Sequence, residues 1–135
     1  MPYISIRTPT VDDAEVLSTL LSDYLLESYP GHTGTSTEQL RRDVLAPTAT
    51  HHVLLAEVGA AAIGFAAWDA VYDMHWAVGG GQIADVYVAT SHRGLGVALA
   101  LVRVSLPKSG RLGVPFFAAA HMTGQALAGH TRESP

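Results

Sequence analysis

Six consecutive residues, Arg93-Gly94-Leu95-Gly96-Val97-Ala98, carry the clearest chemical signal in the chain. Before them, residues 83–88 are rich in β-branched and aromatic side chains, which predicts a strand. After them, residues 97–106 hold no Gly or Pro and are apolar nearly all round, which predicts a buried helix. Two glycines at such a junction let the backbone turn sharply and let a ligand approach without meeting a Cβ. The free N–H groups of the helix N-terminus then make an anion site. The helix dipole adds roughly 0.3–1 kcal/mol per anionic contact, and Arg93 offers a charge-assisted donor. Cradling a pyrophosphate is the chemistry this suits.

Three readings of the stretch compete. It can be a Gly-rich connection with no ligand, which is common where a strand meets a helix. It can be a dinucleotide-binding turn, but Leu99 stands where the third Gly is needed. No acidic residue follows before Glu133, so the ribose carboxylate expected ~20 residues on is also missing. Third, the stretch resembles the acyl-CoA loop of the GNAT N-acetyltransferases, whose pattern is Arg/Gln-x-x-Gly-x-Gly/Ala between a strand and a helix. Arg93, Gly96 and Ala98 fill its fixed places, and Gly94 fills a commonly glycine position.

That resemblance implies an α/β (α+β) fold, a mixed, mostly antiparallel sheet flanked by helices. It implies acetyl-CoA as co-substrate, held by Arg93, Gly94, Leu95, Gly96, Val97 and Ala98. The backbone of Tyr87 and Val88 would pair with the pantetheine arm, and an N–H there would face the thioester oxygen. Diamine-type members carry Tyr-Asp-x-Trp or Tyr-x-x-Trp, a Gly-rich step, then Leu-Glu-Asp-hydrophobic-aromatic-Val. This chain has Tyr72-Asp73-Met74-His75-Trp76, Gly79-Gly80-Gly81, and Ile83-Ala84-Asp85-Val86-Tyr87-Val88. By that likeness Trp76 walls an amine channel, with Tyr72 and Asp73 beside it, and Asp85 holds a substrate ammonium. The other reading makes Trp76 a core anchor and Asp85 a capping or salt-bridged residue. A carboxylate within an apolar central strand is costly unless paired.

The chain also departs from that pattern. Ala84 stands where the subgroup has a glutamate, a general-base candidate. The family's usual acid, a tyrosine on the last helix, aligns near Gly129 and His130, and no tyrosine follows Tyr87. An alkylammonium with pKa about 10.4 is the free amine in only about one molecule in 2,500 at pH 7. Binding or a base must offset the resulting ~4.6 kcal/mol. Asp85, Asp73 and His75 are the candidates, His75 having the most suitable intrinsic pKa. His51 and His52 are neighbours on one strand and face opposite ways, so they cannot share an ion, and no metal site is expected. A G-x-S-x-G hydrolase elbow is absent.

The 135 residues fit one domain, 1–135, with 48% hydrophobic and 15% charged residues and no cysteine. Disulfides, thiolate metal sites and a Cys nucleophile are thereby excluded. The N-terminus lacks a signal-peptide core and no apolar run approaches ~20 residues, so a cytoplasmic, membrane-free protein is expected. Residues 1–85 hold 11 acidic and 3 basic side chains, and residues 86–135 hold 1 acidic and 5 basic; −8 and +4 sum to the net −4. An acidic half beside a basic half suits a cationic substrate and an anionic co-substrate. No basic stripe interleaved with aromatics argues for nucleic acid.

The rest of the chain supplies the elements that position these residues. Strands are expected over 3–7, 52–58 and 61–69, the last two as a hairpin, with Gly64 marking a bulge or close contact. Helices are expected from a Thr10 cap to about Glu27, and over 37–45. Residues 71–81 read as a loop that its glycines let move. Residues 107–113 read as a turn, 114–120 as a short strand, and 122–128 as one or two helical turns. The order β-α-α-β-β-β-α-β-α matches the GNAT fold, short of the two strands with which members usually close. An uncovered apolar edge at Phe116 and Phe117 then predicts a homodimer. A GNAT-like acetyltransferase acting on a small primary amine by direct attack is the leading expectation. The alternative is a non-catalytic acyl-CoA-binding module.

Overall fold

The computed structural model describes residues 3–32, 34–75, 77–109 and 121–122. Five strands form one sheet in the order β1-β2-β3-β4-β5. They are β1 (Ile4–Arg7), β2 (His51–Val58), β3 (Ala61–Asp73), β4 (Val78–Val88) and β5 (His121–Met122). The first four pair antiparallel, and β5 runs parallel to β4 at Asp85 and Val86. The described residues also hold three α-helices: α1 (Ala14–Ser28), α2 (Thr37–Asp43) and α3 (Val97–Ser109).

The sheet separates two cores. Leu17, Leu20 and Tyr24 of α1, with Leu40 of α2, pack on Val53, Leu55, Phe65, Ala67 and Tyr87. On the other face, Val97, Ala98 and Leu101 of α3 pack on Leu54, Ala66, Ile83, Val86 and Val88. Strand alternation sends odd and even residues of β2 and β3 to opposite helical layers. The 3-10 turn Val11–Asp13 that leads into α1 starts on a capping box of Thr10 with Asp13, and α2 starts on one of Ser36 with Gln39. Arg7 anchors the start of α1, bonding Asp13 at 2.7 Å and Glu57 at 2.8 Å. The Arg7 guanidinium, through those hydrogen bonds, holds the Asp13 carboxyl down at about 2.

Gly64 proves to be both things its position suggested. Ile63 is an extra residue between the pairs Ala56–Gly64 and Glu57–Ala62, so a bulge lies beside it. A Cβ on Gly64 would lie 2.6 Å from the Tyr87 carbonyl oxygen, so β3 approaches β4 closely here.

Residues 71–81 differ from the expected mobile loop. β3 and β4 run on past the sheet as a two-stranded arm, with Gly81, Gly80 and Gly79 opposite Ala70, Val71 and Tyr72. The β-branched and aromatic partners on β3 carry the strand preference, and the glycines follow their ladder. Among the described residues between the two strands, Met74, His75 and Ala77 turn, with Ala77 at φ 54°. Helix α3 also runs past the expected stop at 106, with Pro107 in its last turn, where the missing N–H costs one bond before the helix ends at Ser109. The expected strand 114–120, its edge and the residues after 122 lie outside the described residues; β5 takes in Met122, where helical turns were expected to start.

Candidate active site

The site is built on an irregularity in β4. Ala67 pairs with Asp85 and Trp68 with Ile83, so Ala84 is an extra residue, a β-bulge. The insertion resets which way the side chains point. Ile83, Val86 and Val88 join the α3-side core, while Asp85 and Tyr87 face α1. Without it, Ile83 and Asp85 would share a face.

On the α1 side Tyr24 donates its phenolic O–H to Asp85 Oδ1 at 2.6 Å. Tyr24 is buried against Phe65 and Tyr87, with ring centroids 5.7 and 5.8 Å away. Burial, and then the Asp85 carboxylate, push the Tyr24 phenol well above its ordinary pKa. It stays protonated and remains a donor. Burial likewise raises Tyr87, with Asp23 and Glu27 adding to the shift.

The Gly-rich segment follows β4. Gly94 and Gly96 have φ of 80° and 82°, the left-handed region that favours glycine. A Cβ on either would meet nothing within 4 Å, so both face open space. The first α3 bond runs from the Ala100 N–H to the Gly96 carbonyl at 3.0 Å. The N–H groups of Val97, Ala98 and Leu99 therefore precede the helix's own ladder. Val97 and Ala98 bury their side chains, and Leu95 packs on the α3-side core. The segment thus turns backbone outward and side chains inward. Backbone donors, an open glycine surface and the positive end of a 13-residue helix fit a pyrophosphate.

Arg93 is bonded within the protein. Its Nε donates to the Val88 carbonyl at 2.8 Å, and Nη1 and Nη2 donate to Glu27 at 3.0 and 2.8 Å. Its Cζ lies 5.7 Å from the Tyr87 ring centroid. A two-toothed carboxylate matches the planar guanidinium, so Arg93 is held by Glu27, which raises its pKa further. It ties the end of α1 to the end of β4, just where the glycine turn starts.

The remaining candidates lie along the arm. The Tyr72 side chain is exposed, and Asp73 is placed by its backbone pairing with Val78. Trp76 lies outside the described residues. His75 is exposed in the turn at the tip. About seven residues of strand separate that turn from Asp85, roughly 20 Å at ~3.3 Å per residue. The structure does not bring His75 and Asp85 together. Sequence reasoning left out Tyr24 and Glu27. A costly carboxylate on a central strand and a tyrosine in an apolar helical stripe each need a polar partner, and that shared need was the available signal.

The sequence pattern of the acetyltransferase (GNAT) family matches residues 15–127. The chain belongs to that family. As a GNAT protein it is an N-acetyltransferase, and the family uses acetyl-CoA as co-substrate. No curated protein matches it in sequence. Solved structures share its fold. A ribosomal-protein-alanine N-acetyltransferase from Brucella melitensis biovar Abortus 2308 is 21% identical with a TM-score of 0.73, over 90% of this chain and 82% of that one. An aminoglycoside acetyltransferase from an uncultured soil metagenomic sample is 14% identical with a TM-score of 0.69, over 93% and 80%. The acetyltransferase from Vibrio fischeri is 22% identical with a TM-score of 0.60, over 86% and 95%.

Gly94 and Gly96, in the segment that resembles the family's acyl-CoA loop, present an open surface. Among the described residues no group of three or more His, Cys, Asp or Glu could hold a metal ion. No helix among them is long and apolar enough to cross a membrane.

Proposed function

We propose that this GNAT protein acetylates the primary amine of a small cationic acceptor, polyamine- or lysine-like, by direct attack of the amine on the acetyl thioester. The observation that carries this is Asp85: a half-buried carboxylate, turned to the α1 face by the Ala84 bulge and held in place by Tyr24. A carboxylate so oriented accepts from an ammonium and favours it over a neutral group. Asp69 stands on the same face, which adds to the attraction for cations.

Each part of the chain has a task in this reading. Backbone N–H groups of 97–99 hold the pyrophosphate of acetyl-CoA, which supplies the activated acetyl group. Gly94 and Gly96 let it approach. Arg93 fixes the Val88 carbonyl and so the direction of the strand end. The Tyr87 and Val88 backbone lies beside the reacting thioester, and Asp85 orients the amine. Tyr72, Asp73 and Trp76 extend the acceptor channel outward.

The test is a coupled assay of CoA release across a panel of cationic, neutral and anionic primary amines, with acetyl-CoA binding measured in parallel. The proposal expects cationic amines to have the highest kcat/KM. Preference for neutral or anionic acceptors overturns it.

A further inference from the structure

Helix α1 holds β4 at two points one turn apart: Tyr24 bonds Asp85, and Glu27 bonds Arg93, which bonds Val88. We propose that Glu27 is a positioning residue for acetyl transfer. Through Arg93 it fixes the Val88 end of β4, where the proposed function seats the thioester. This rests on the acetyl-transfer reading above.

The contacts form a chain. Glu27 Oε1 and Oε2 accept from Arg93 Nη2 and Nη1 at 2.8 and 3.0 Å. Arg93 Nε donates to the Val88 carbonyl at 2.8 Å. Every nitrogen of the guanidinium is thus engaged, two on a carboxylate and one on the strand. Because the group is planar, fixing two of its edges fixes its orientation. Its Cζ also stands 5.7 Å from the Tyr87 ring centroid. Without the Glu27 charge, Arg93 keeps one neutral acceptor and can swing about that bond.

The Val88 carbonyl is where an anchor matters. Gly64 faces Val88 in the β3–β4 ladder, and the Ala89 N–H donates to the Ile63 carbonyl at 2.7 Å. In an antiparallel ladder, alternate residues turn their N–H and C=O to opposite sides. Tyr87 and Ala89 therefore turn toward β3, and Val88 turns away from it. Among the described residues β5 reaches Asp85 and Val86 on that side, and Arg93 takes the Val88 carbonyl.

One turn of α1 thereby serves both reacting partners. Tyr24, three residues before Glu27, holds Asp85, three residues before Val88. In the acetyl-transfer reading Asp85 orients the amine and Val88 lies beside the thioester. The helical turn sets the spacing between nucleophile and electrophile. Stability is not what the ion pair is suited to add. Glu27 and Arg93 are 35% and 17% exposed, and partly exposed ion pairs contribute little because water screens them. Orientation is what a two-toothed contact at the reacting end of a strand supplies.

The experiment compares wild type, Glu27→Gln, Arg93→Lys and the double variant, on whichever primary amine the wild type acetylates best. Gln keeps the length and an acceptor oxygen, but loses the charge and the second tooth. We expect kcat of Glu27→Gln to fall on the order of tenfold. Acetyl-CoA affinity by calorimetry and acceptor KM should stay within about twofold of wild type. In the Arg93→Lys background the same substitution should change kcat less than about twofold, because its route is already cut. Nitrogen NMR should show the Arg93 Nε–H exchanging with water at least about tenfold faster in Glu27→Gln than in wild type. Where Arg93→Lys has no turnover, that exchange rate decides. A purely structural pair would instead lower the urea midpoint and leave kcat unchanged. Wild-type kcat, a loss carried by acetyl-CoA affinity, an equal loss in the Arg93→Lys background, or unchanged Nε–H exchange overturns the assignment. Preference for neutral amines overturns the cationic-acceptor reading alone, since kcat is read on those amines as well.

Discussion

Tyr24 Oη and Asp85 Oδ1 lie 2.6 Å apart, joining α1 to β4 across 61 positions of sequence. The bond satisfies a buried phenol and a carboxylate that would otherwise face an aromatic cluster. Tyr24→Phe keeps the ring packing and removes only the donor. It is expected to lower the unfolding free energy by about 1.5–3 kcal/mol, the range for a hydrogen bond to a charged group. Urea denaturation measures it, and an unchanged midpoint and slope would show that the bond contributes nothing.

The glycine turn yields a second expectation. At φ 82° a side chain on Gly96 costs about 1–2 kcal/mol of backbone strain, whatever the space around it. Gly96→Val therefore strains the turn as well as covering the open surface, and Gly96→Ala is the gentler test. Acetyl-CoA affinity in Gly96→Ala should drop at least about tenfold (~1.4 kcal/mol), with the far-UV spectrum unchanged. Affinity equal to wild type by calorimetry would remove the pyrophosphate from this turn.

Gly64 offers a test from the opposite side of β4. A Cβ there meets the Tyr87 carbonyl oxygen at 2.6 Å and Val88 Cα at 3.4 Å, and neither is a flexible side-chain end. Gly64→Ala must push β3 away from the Tyr87–Val88 segment, where the proposed function places the thioester. We expect a stability loss of about 1–3 kcal/mol and a lower kcat with little change in acetyl-CoA affinity. A variant with wild-type kcat would show that this strand spacing is irrelevant to turnover.

The pH dependence of stability separates two groups. Burial beside Trp68, and then the neighbouring His51, lower the His52 pKa below its ordinary value of 6.5. The unfolded chain then binds a proton more readily than the folded one. Stability from this source is full above pH ~6.5 and declines as pH falls toward the depressed folded value. Asp13, lowered from 3.8 to about 2 by Arg7, loses its contribution further down, between those two values. His52→Phe should flatten the stability curve near pH 6 and leave the acid limb in place. A His52→Phe curve parallel to wild type through pH 6 contradicts the assignment.

Much of the fold was legible because its signals are local. Thr10 followed by two aspartates marks a capped helix start, and alternation marks β2 and β3. The glycine turn stands out by composition alone. What was not legible depends on pairing between distant strands. Residues 79–81 look like a loop until Val71 and Tyr72 hold them in a ladder. The Ala84 bulge leaves no mark in residues 83–88, yet it decides that Asp85 faces α1. The partners of Asp85, Arg93 and His51 are 61, 66 and 18 positions away, and only the assembled sheet and helix bring them together.

The most direct test of the account is the kinetic split produced by Asp85→Asn. The substitution keeps the size of the side chain and an acceptor oxygen for Tyr24, and it removes the charge. With a diamine as acceptor, KM should rise at least about tenfold, the loss of one charge-assisted contact of ~1.5 kcal/mol or more, while acetyl-CoA affinity stays at the wild-type value. A diamine KM equal to wild type, or a loss falling equally on acetyl-CoA, would contradict the placement of a cationic acceptor at Asp85.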